Sequence, residues 1–226
     1  MKFCLMWGLL WATATILFVH PLGASPLTTQ LETTSLPEAL TQFTNVAFNA
    51  TARWQSNKPA NFKMRISNGA AGSPQHLVTG GTGISWASDA PQAFTVNFDG
   101  AEVIFTIVDG AITHTIRATP ALNAVNSLMI ALRSQGGHNS SIELSDLKVN
   151  GEALSVPSAY LGSVQDARLF VLVQGLSSSF SLTGNMRITK TGGAQEIPSL
   201  IIFFSPGSLP IPKRTTSRWR HRNSAA

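Results

Sequence analysis

Two Asp-Gly dipeptides, Asp99-Gly100 and Asp109-Gly110, divide the stretch Phe94–Arg117, FTVNFDGAEVIFTIVDGAITHTIR, into three short runs. Phe94, Val96 and Phe98 alternate with Thr95 and Asn97, the period-two pattern of a strand with one buried face. Asp-Gly readily adopts the positive backbone angles of a tight hairpin, so Ala101–Val108 is expected to pair with both neighbours in a three-strand meander. That middle run is apolar on both sides, with Val103, Phe105 and Ile107 opposed to Ile104, Thr106 and Val108. It is therefore expected inside a sheet, covered by a second layer.

The ends of the chain differ in composition from its middle. Lys2, an apolar run from Leu5 to Val19 and the small residues Gly23, Ala24 and Ser25 have the order of a secretory signal peptide, read here as residues 1–24. The apolar run is shorter than the roughly 20 residues a membrane-spanning helix needs. The only cysteine, Cys4, lies in that leader, so the mature chain folds without a disulfide or a thiolate metal site. Residues 25–42, rich in Thr, Ser, Leu and Pro, read as a linker, with a short helix at Pro37–Gln42 that Ser35 would cap. The net charge of +5 is an end effect, because residues 43–204 hold ten Lys or Arg against nine Asp or Glu. The tail 205–226 carries Lys213, Arg214, Arg218, Arg220 and Arg222 and reads as a disordered cationic arm. A nearly neutral domain gives no argument for specific nucleic-acid binding.

Between these ends the pattern is strand after strand. Thr44–Trp54 alternates loosely, and Phe62, Met64 and Ile66 alternate with Lys63, Arg65 and Ser67. Short strands are expected at His76–Thr79 and Ile84–Ala87. Asn126–Arg133 reads as a strand with Leu128, Ile130 and Leu132 inward, against a competing helix from Pro120 to Arg133. In Ile142–Val149 the inward set changes phase at Ser145-Asp146, which predicts a β-bulge. Asn150-Gly151 then predicts a hairpin. Arg168–Leu176 is almost continuously apolar, Phe180–Thr189 alternates, and Ser199–Phe204 closes the domain. About eleven strands with frequent turn signals predict one antiparallel β-sandwich, jelly-roll-like, over residues 43–204, with a closed barrel as the competitor.

Signals for chemistry are sparse. Gly83-Ile84-Ser85-Trp86-Ala87 begins like a nucleophile elbow but ends in Ala and lacks the strand-to-helix context. His76, His114 and His138 show no metal-ligand spacing, and His114 is expected to point outward. Calcium bound by loop Asp and Asn residues would suit such a fold, but no acidic cluster is dense enough to support it. Asn49-Ala50-Thr51 and Asn139-Ser140-Ser141 match the glycosylation acceptor, which matters only in a eukaryotic secretory pathway. Aromatic rings that stack on sugars are the remaining signal, and Trp86 and Tyr160, near loops, are the candidates.

The runs NSLMIALRS, IELSDLKVNGEAL (Ile142–Leu154), RLFVLVQGL, FSLTGNMRIT and PSLIIFF together resemble the choice-of-anchor β-sandwich domains of secreted bacterial proteins, the W type most closely. The likeness covers roughly residues 43–204. It implies a surface or extracellular location and a C-terminal sorting signal built from a Pro-Glu-Pro motif, a membrane helix and a basic end. Ser205–Ala226 has prolines and a basic end but no apolar segment between them, so either the mature chain is released without a membrane span or the tail is an out-of-frame remnant of an anchor. The expected function is a secreted, non-enzymatic surface or matrix module that works by contact with extracellular polysaccharide or other surface proteins. A lectin-like carbohydrate-binding module, through Trp86 and Tyr160, and an extracellular glycan hydrolase or lyase are the alternatives.

Overall fold

The structure, a computed structural model, describes residues 27–31, 36–43, 45–53, 63–69, 75–84, 89–121, 124–134, 141–154, 159–161, 167–189 and 198–207. They form fourteen strands and one helix. The strands are β1 (Leu27–Leu31), β2 (Phe48–Arg53), β3 (Met64–Asn68), β4 (Gln75–Gly80), β5 (Pro91–Phe98), β6 (Val103–Asp109), β7 (Ile112–Ala118), β8 (Ser127–Ser134), β9 (Ser141–Val149), β10 (Glu152–Ala153), β11 (Ala159–Leu161), β12 (Ala167–Gln174), β13 (Phe180–Thr189) and β14 (Ser199–Ser205). The helix, α1, spans Leu36–Gln42. The first sheet has the order β1-β12-β8-β14-β2-β3-β4, and the second β10-β9-β13-β5-β6-β7 with β11 on β9; all pairings are antiparallel. The protein is an antiparallel β-sandwich of two separate sheets. From β8 to β14 the longer strands pass alternately between sheets, the crossover habit of jelly rolls.

The meander forms as β5, β6 and β7, in the register its turns dictate. Only one face of β6 is buried, however. Val103, Phe105 and Ile107 are inaccessible, while Ile104 and Thr106 are half-buried and Val108 is exposed. β6 does lie inside its sheet under a second layer, as expected, but that layer covers one of its two apolar faces. The outer surface of this sheet faces solvent, and the apolar Ile104 and Val108 reflect β-propensity rather than burial.

The inner faces share one core. Four phenylalanines, two from each sheet, close a ring of contacts. Phe48 stacks on Phe204 at 4.4 Å, Phe204 meets Phe180 at 5.8 Å, Phe180 meets Phe98 at 6.0 Å, and Phe98 returns to Phe48 at 5.8 Å. The strand reading of Asn126–Arg133 holds: Leu128, Ile130 and Leu132 of β8 enter this core, and Met129 and Ala131 face the other way.

A second, smaller core lies on the outer face of the first sheet. Met129, Ala131, Phe170, Leu172 and Phe203 pack there with Ala39 and Phe43. Leu36, Ala39, Leu40 and Phe43 recur at helical spacing and turn one stripe of α1 and the residue after it onto the sheet. The segment expected as a linker thus supplies an edge strand and a plug, because β1 pairs with β12 from Leu27↔Gln174 to Leu31↔Phe170. With the two- and three-residue pieces β10 and β11, this accounts for strands beyond the expected eleven. At the other boundary Ser205 belongs to β14 and is fully buried. Ser35, Trp54, Phe62 and His138 lie outside the described residues, as do residues 85–87 of the strand expected at Ile84–Ala87; Ile84 itself is buried but not in a strand.

The bulge forms where the phase change predicts it. Asp146 has φ 54°, and the β9–β13 register shifts between Thr183 and Asn185, so that Ile142, Leu144, Leu147 and Val149 all reach the core. Gly184 sits opposite, and a Cβ there would lie 2.7 Å from Leu147 Cδ2 and 3.0 Å from Phe94 Cε1. Asn150 and Gly151, at φ 52° and 84°, make the following two-residue hairpin turn.

Two stability measurements follow. Gly184→Ala is expected to cost about 1–3 kcal/mol by overpacking, and Leu147→Ala in the same chain should cancel part of that cost, a non-additivity that urea denaturation of the double-mutant cycle will read. Phe43→Ala, at a fully buried position, should cost about 3–5 kcal/mol if the plug is integral to the fold, and a change under about 1 kcal/mol would restore the linker reading.

Candidate functional site

The outer surfaces of the two sheets have opposite characters. That of the first sheet is apolar where α1 covers it, whereas that of the second presents hydroxyls, amides and a few charges to solvent. Cross-strand register brings Lys148, Thr183, Thr95, Thr106 and Thr115 into one row across β9, β13, β5, β6 and β7. Thr106 Oγ1 and Thr115 Oγ1 are hydrogen-bonded at 3.2 Å. The next outward row is Ser181, Asn97, Ile104 and Arg117.

That second row runs into a cleft of about 270 Å³ lined by Asn97, Phe98, Asp99, Glu102, Ile104, Asn150, Ser179, Phe180 and Ser181. Three turns build it: β5–β6, β9–β10 and the approach to β13. Asp99 Oδ1 accepts hydrogen bonds from the Ala101 and Glu102 amides at 2.8 and 2.7 Å, the side-chain-closed turn for which Asp before Gly is suited. The Glu102 and Ala101 N–H groups hold the Asp99 carboxyl below its ordinary value, so it is ionised at neutral pH. Asn150 Oδ1 accepts from the Ser181 amide at 2.9 Å, and the Asn150 amide donates to the Ser181 carbonyl at 2.9 Å, tying two of the turns together. Phe98 and Phe180, both members of the phenylalanine ring, line the cleft from below with only 2% and 4% of their surface accessible.

Charges on this face are largely matched within it. Arg117 pairs with Glu102 at 3.4 Å, and Arg187 forms a two-nitrogen contact with Glu143 Oε2. Asp146 accepts from Asn185 Nδ2 at 2.8 Å.

Of the aromatic residues singled out from sequence, only the backbone of Tyr160 is described. Tyr160 stands on β11 at the register position of Glu143, toward the opposite end of β9. Trp86 lies outside the described residues. Asp89, the described residue that follows, donates its amide to the Ile188 carbonyl at 3.0 Å, at the other end of β13 from Ser181. Ten-residue β13 separates the two ends by about 30 Å. Beside Ile84, Lys63 Nζ donates to the Ile84 carbonyl, and burial lowers the ammonium pKa against the opposing pull of Asp109. The tail residues Lys213, Arg214, Arg218, Arg220 and Arg222 are also outside the described residues.

His114 points inward, which corrects the outward expectation. It shares the phase of Ile116 on β7, is half-buried, and its Nε2 is buried without a hydrogen-bond partner. His76 uses both ring nitrogens. Nε2 lies 3.1 Å from Arg65 Nη1 and Nδ1 3.1 Å from Ser67 Oγ. Guanidinium only donates, so Nε2 accepts and the proton resides on Nδ1. Asn49 of the first glycosylation acceptor is 3% accessible, donates to the Gly69 carbonyl at 3.0 Å and accepts from Thr51 Oγ1, so the folded domain offers no acceptor there. Among the described residues no three His, Cys, Asp or Glu side chains group as a metal set, and no helix is long and apolar enough to cross a membrane.

No family model matches the chain, and no curated protein matches it.

Desolvation first, then Arg65 and Arg53, lower the pKa of His76. Its neutral ring contributes stability that is complete above the unfolded-state value of about 6.5 and is lost as the pH falls toward the lower folded-state value. An NMR titration should place the His76 midpoint below 6.5, and Arg65→Gln should raise it. A midpoint at or above 6.5 would contradict the Arg65 contact.

Proposed function

We propose that the chain is a secreted, non-enzymatic module of the cell surface or extracellular matrix that works by contact, in line with its resemblance to choice-of-anchor domains. The observation that carries this reading is the open outer face of the second sheet: a broad, polar, nearly charge-balanced surface with a shallow cleft, on a scaffold whose other outer face is plugged by α1. Such a surface offers many weak, distributed contacts, which suits adhesion to a repetitive partner better than the positioning of one reactive group. The leader-like residues 1–24 and the cysteine-free remainder support export.

The test is expression of the full chain followed by fractionation and mass spectrometry. The expected result is a mature protein beginning near Ser25, recovered with the envelope or matrix and released intact by mild washing. Recovery of an unprocessed chain from the cytosol would overturn export, and release of oligosaccharides from envelope polymers by the purified protein would overturn the non-enzymatic reading.

A further inference from the structure

We infer that the outer face of the second sheet, from the cleft to the threonine row, binds one extended, uncharged polysaccharide chain that runs across the strands. This rests on the contact reading above and gives it a surface and a ligand class.

Among the described residues no element packs over this face. Thr113, Thr115, Arg117, Val108 and Lys148 are exposed, and Thr95, Asn97, Ile104, Thr106 and Thr183 are half-exposed. Its chemistry is that of a sugar's complement. Threonine hydroxyls and the Asn97 amide both donate and accept, as sugar hydroxyls do, while the threonine methyls with Ile104 and Val108 offer apolar contact to the C–H faces of a ring.

Charge complementarity selects an uncharged partner. Arg117, Arg187 and Lys148 are set against Glu102, Glu143, Asp146 and Asp99 on the same face, and two of these cations are already paired there. Neither a polyanion nor an acidic membrane surface would find the unbalanced basic field it requires.

Geometry selects an extended polymer. Neighbouring strands lie about 4.8 Å apart, so Thr183, Thr95, Thr106 and Thr115 form a straight file of about 14 Å perpendicular to the strands. Each step is close to the length of one sugar ring in an extended chain. Asn97 and Ser181 link this file to the cleft, where the ionised Asp99 carboxylate and the Asn150–Ser181 turn pair give the ligand a fixed polar anchor.

The test is affinity electrophoresis of the full mature chain through gels containing β-glucan, xylan, mannan or α-glucan, in 0.5 M salt so that the cationic tail is screened (about 4 Å Debye length). Retardation by at least one of these polymers is expected. Thr95→Val, Thr106→Val and Asn97→Ala should each weaken it by about three- to tenfold, the loss of roughly one hydrogen bond, without lowering the melting temperature, and Thr106→Ser should restore it. Retardation that survives all three substitutions but vanishes in Trp86→Ala would overturn this surface and leave the contact reading standing. No retardation by any of these polymers would overturn the ligand class, again without touching the fractionation result that tests export and adhesion.

Discussion

The four-phenylalanine ring is the constraint on which the rest of the sandwich depends. Phe48 and Phe204 from one sheet and Phe98 and Phe180 from the other are large, rigid and almost wholly buried, and each contacts the next around the circuit. Burial of each is worth roughly 1.5–3 kcal/mol, with about 0.5–1.5 kcal/mol more for a well-oriented ring pair. Without disulfides, such contacts must hold the sheets together. They also set the depth of the cleft, because Phe98 and Phe180 form its base while Asn97, Asp99 and Ser181, their chain neighbours, form its rim.

Much of the fold could be read from residue pattern, and the reasons are local. Alternation around Asp99-Gly100 and Asp109-Gly110 specified the meander, the phase change at Ser145-Asp146 located the bulge, and Asn150-Gly151 its hairpin. The short helix at Pro37–Gln42 was legible, but its role as a plug was not, because Leu36, Ala39, Leu40 and Phe43 make a stripe only two turns long, within a segment whose Thr and Ser content suggests a linker. Its partners, Met129, Phe170, Leu172 and Phe203, come from three separate strands. The outward alternation of β6 was misread because Ile104 and Val108 are apolar yet lie on a wet face.

The candidate site was hardly legible at all. Thr95, Thr106, Thr115 and Thr183 are each ordinary positions in strand-like runs, and only the cross-strand register makes them neighbours. The cleft likewise combines residues near positions 97, 150 and 180. Sequence reasoning favoured single large aromatics, Trp86 and Tyr160, because an isolated ring is conspicuous and a row assembled from four strands is not. The signal that was available was negative: Thr and Asn recurring at outward positions, where Lys and Glu are the commoner means of keeping a sheet soluble.

One row of the first sheet gives the molecule a direction. Leu27 lies opposite Gln174, Gln174 opposite Ser127 and Ser127 opposite Ser205, while Asn126 and Ser127 hold the carbonyls of Pro206 and Gly207. The polypeptide therefore enters and leaves the described fold through the same pole, parallel to its strands. A tether on either side of the domain would hold it upright, like a post. The threonine file crosses the strands of the second sheet, so a thread caught on it would run from strand to strand with both of its ends free to meet further copies.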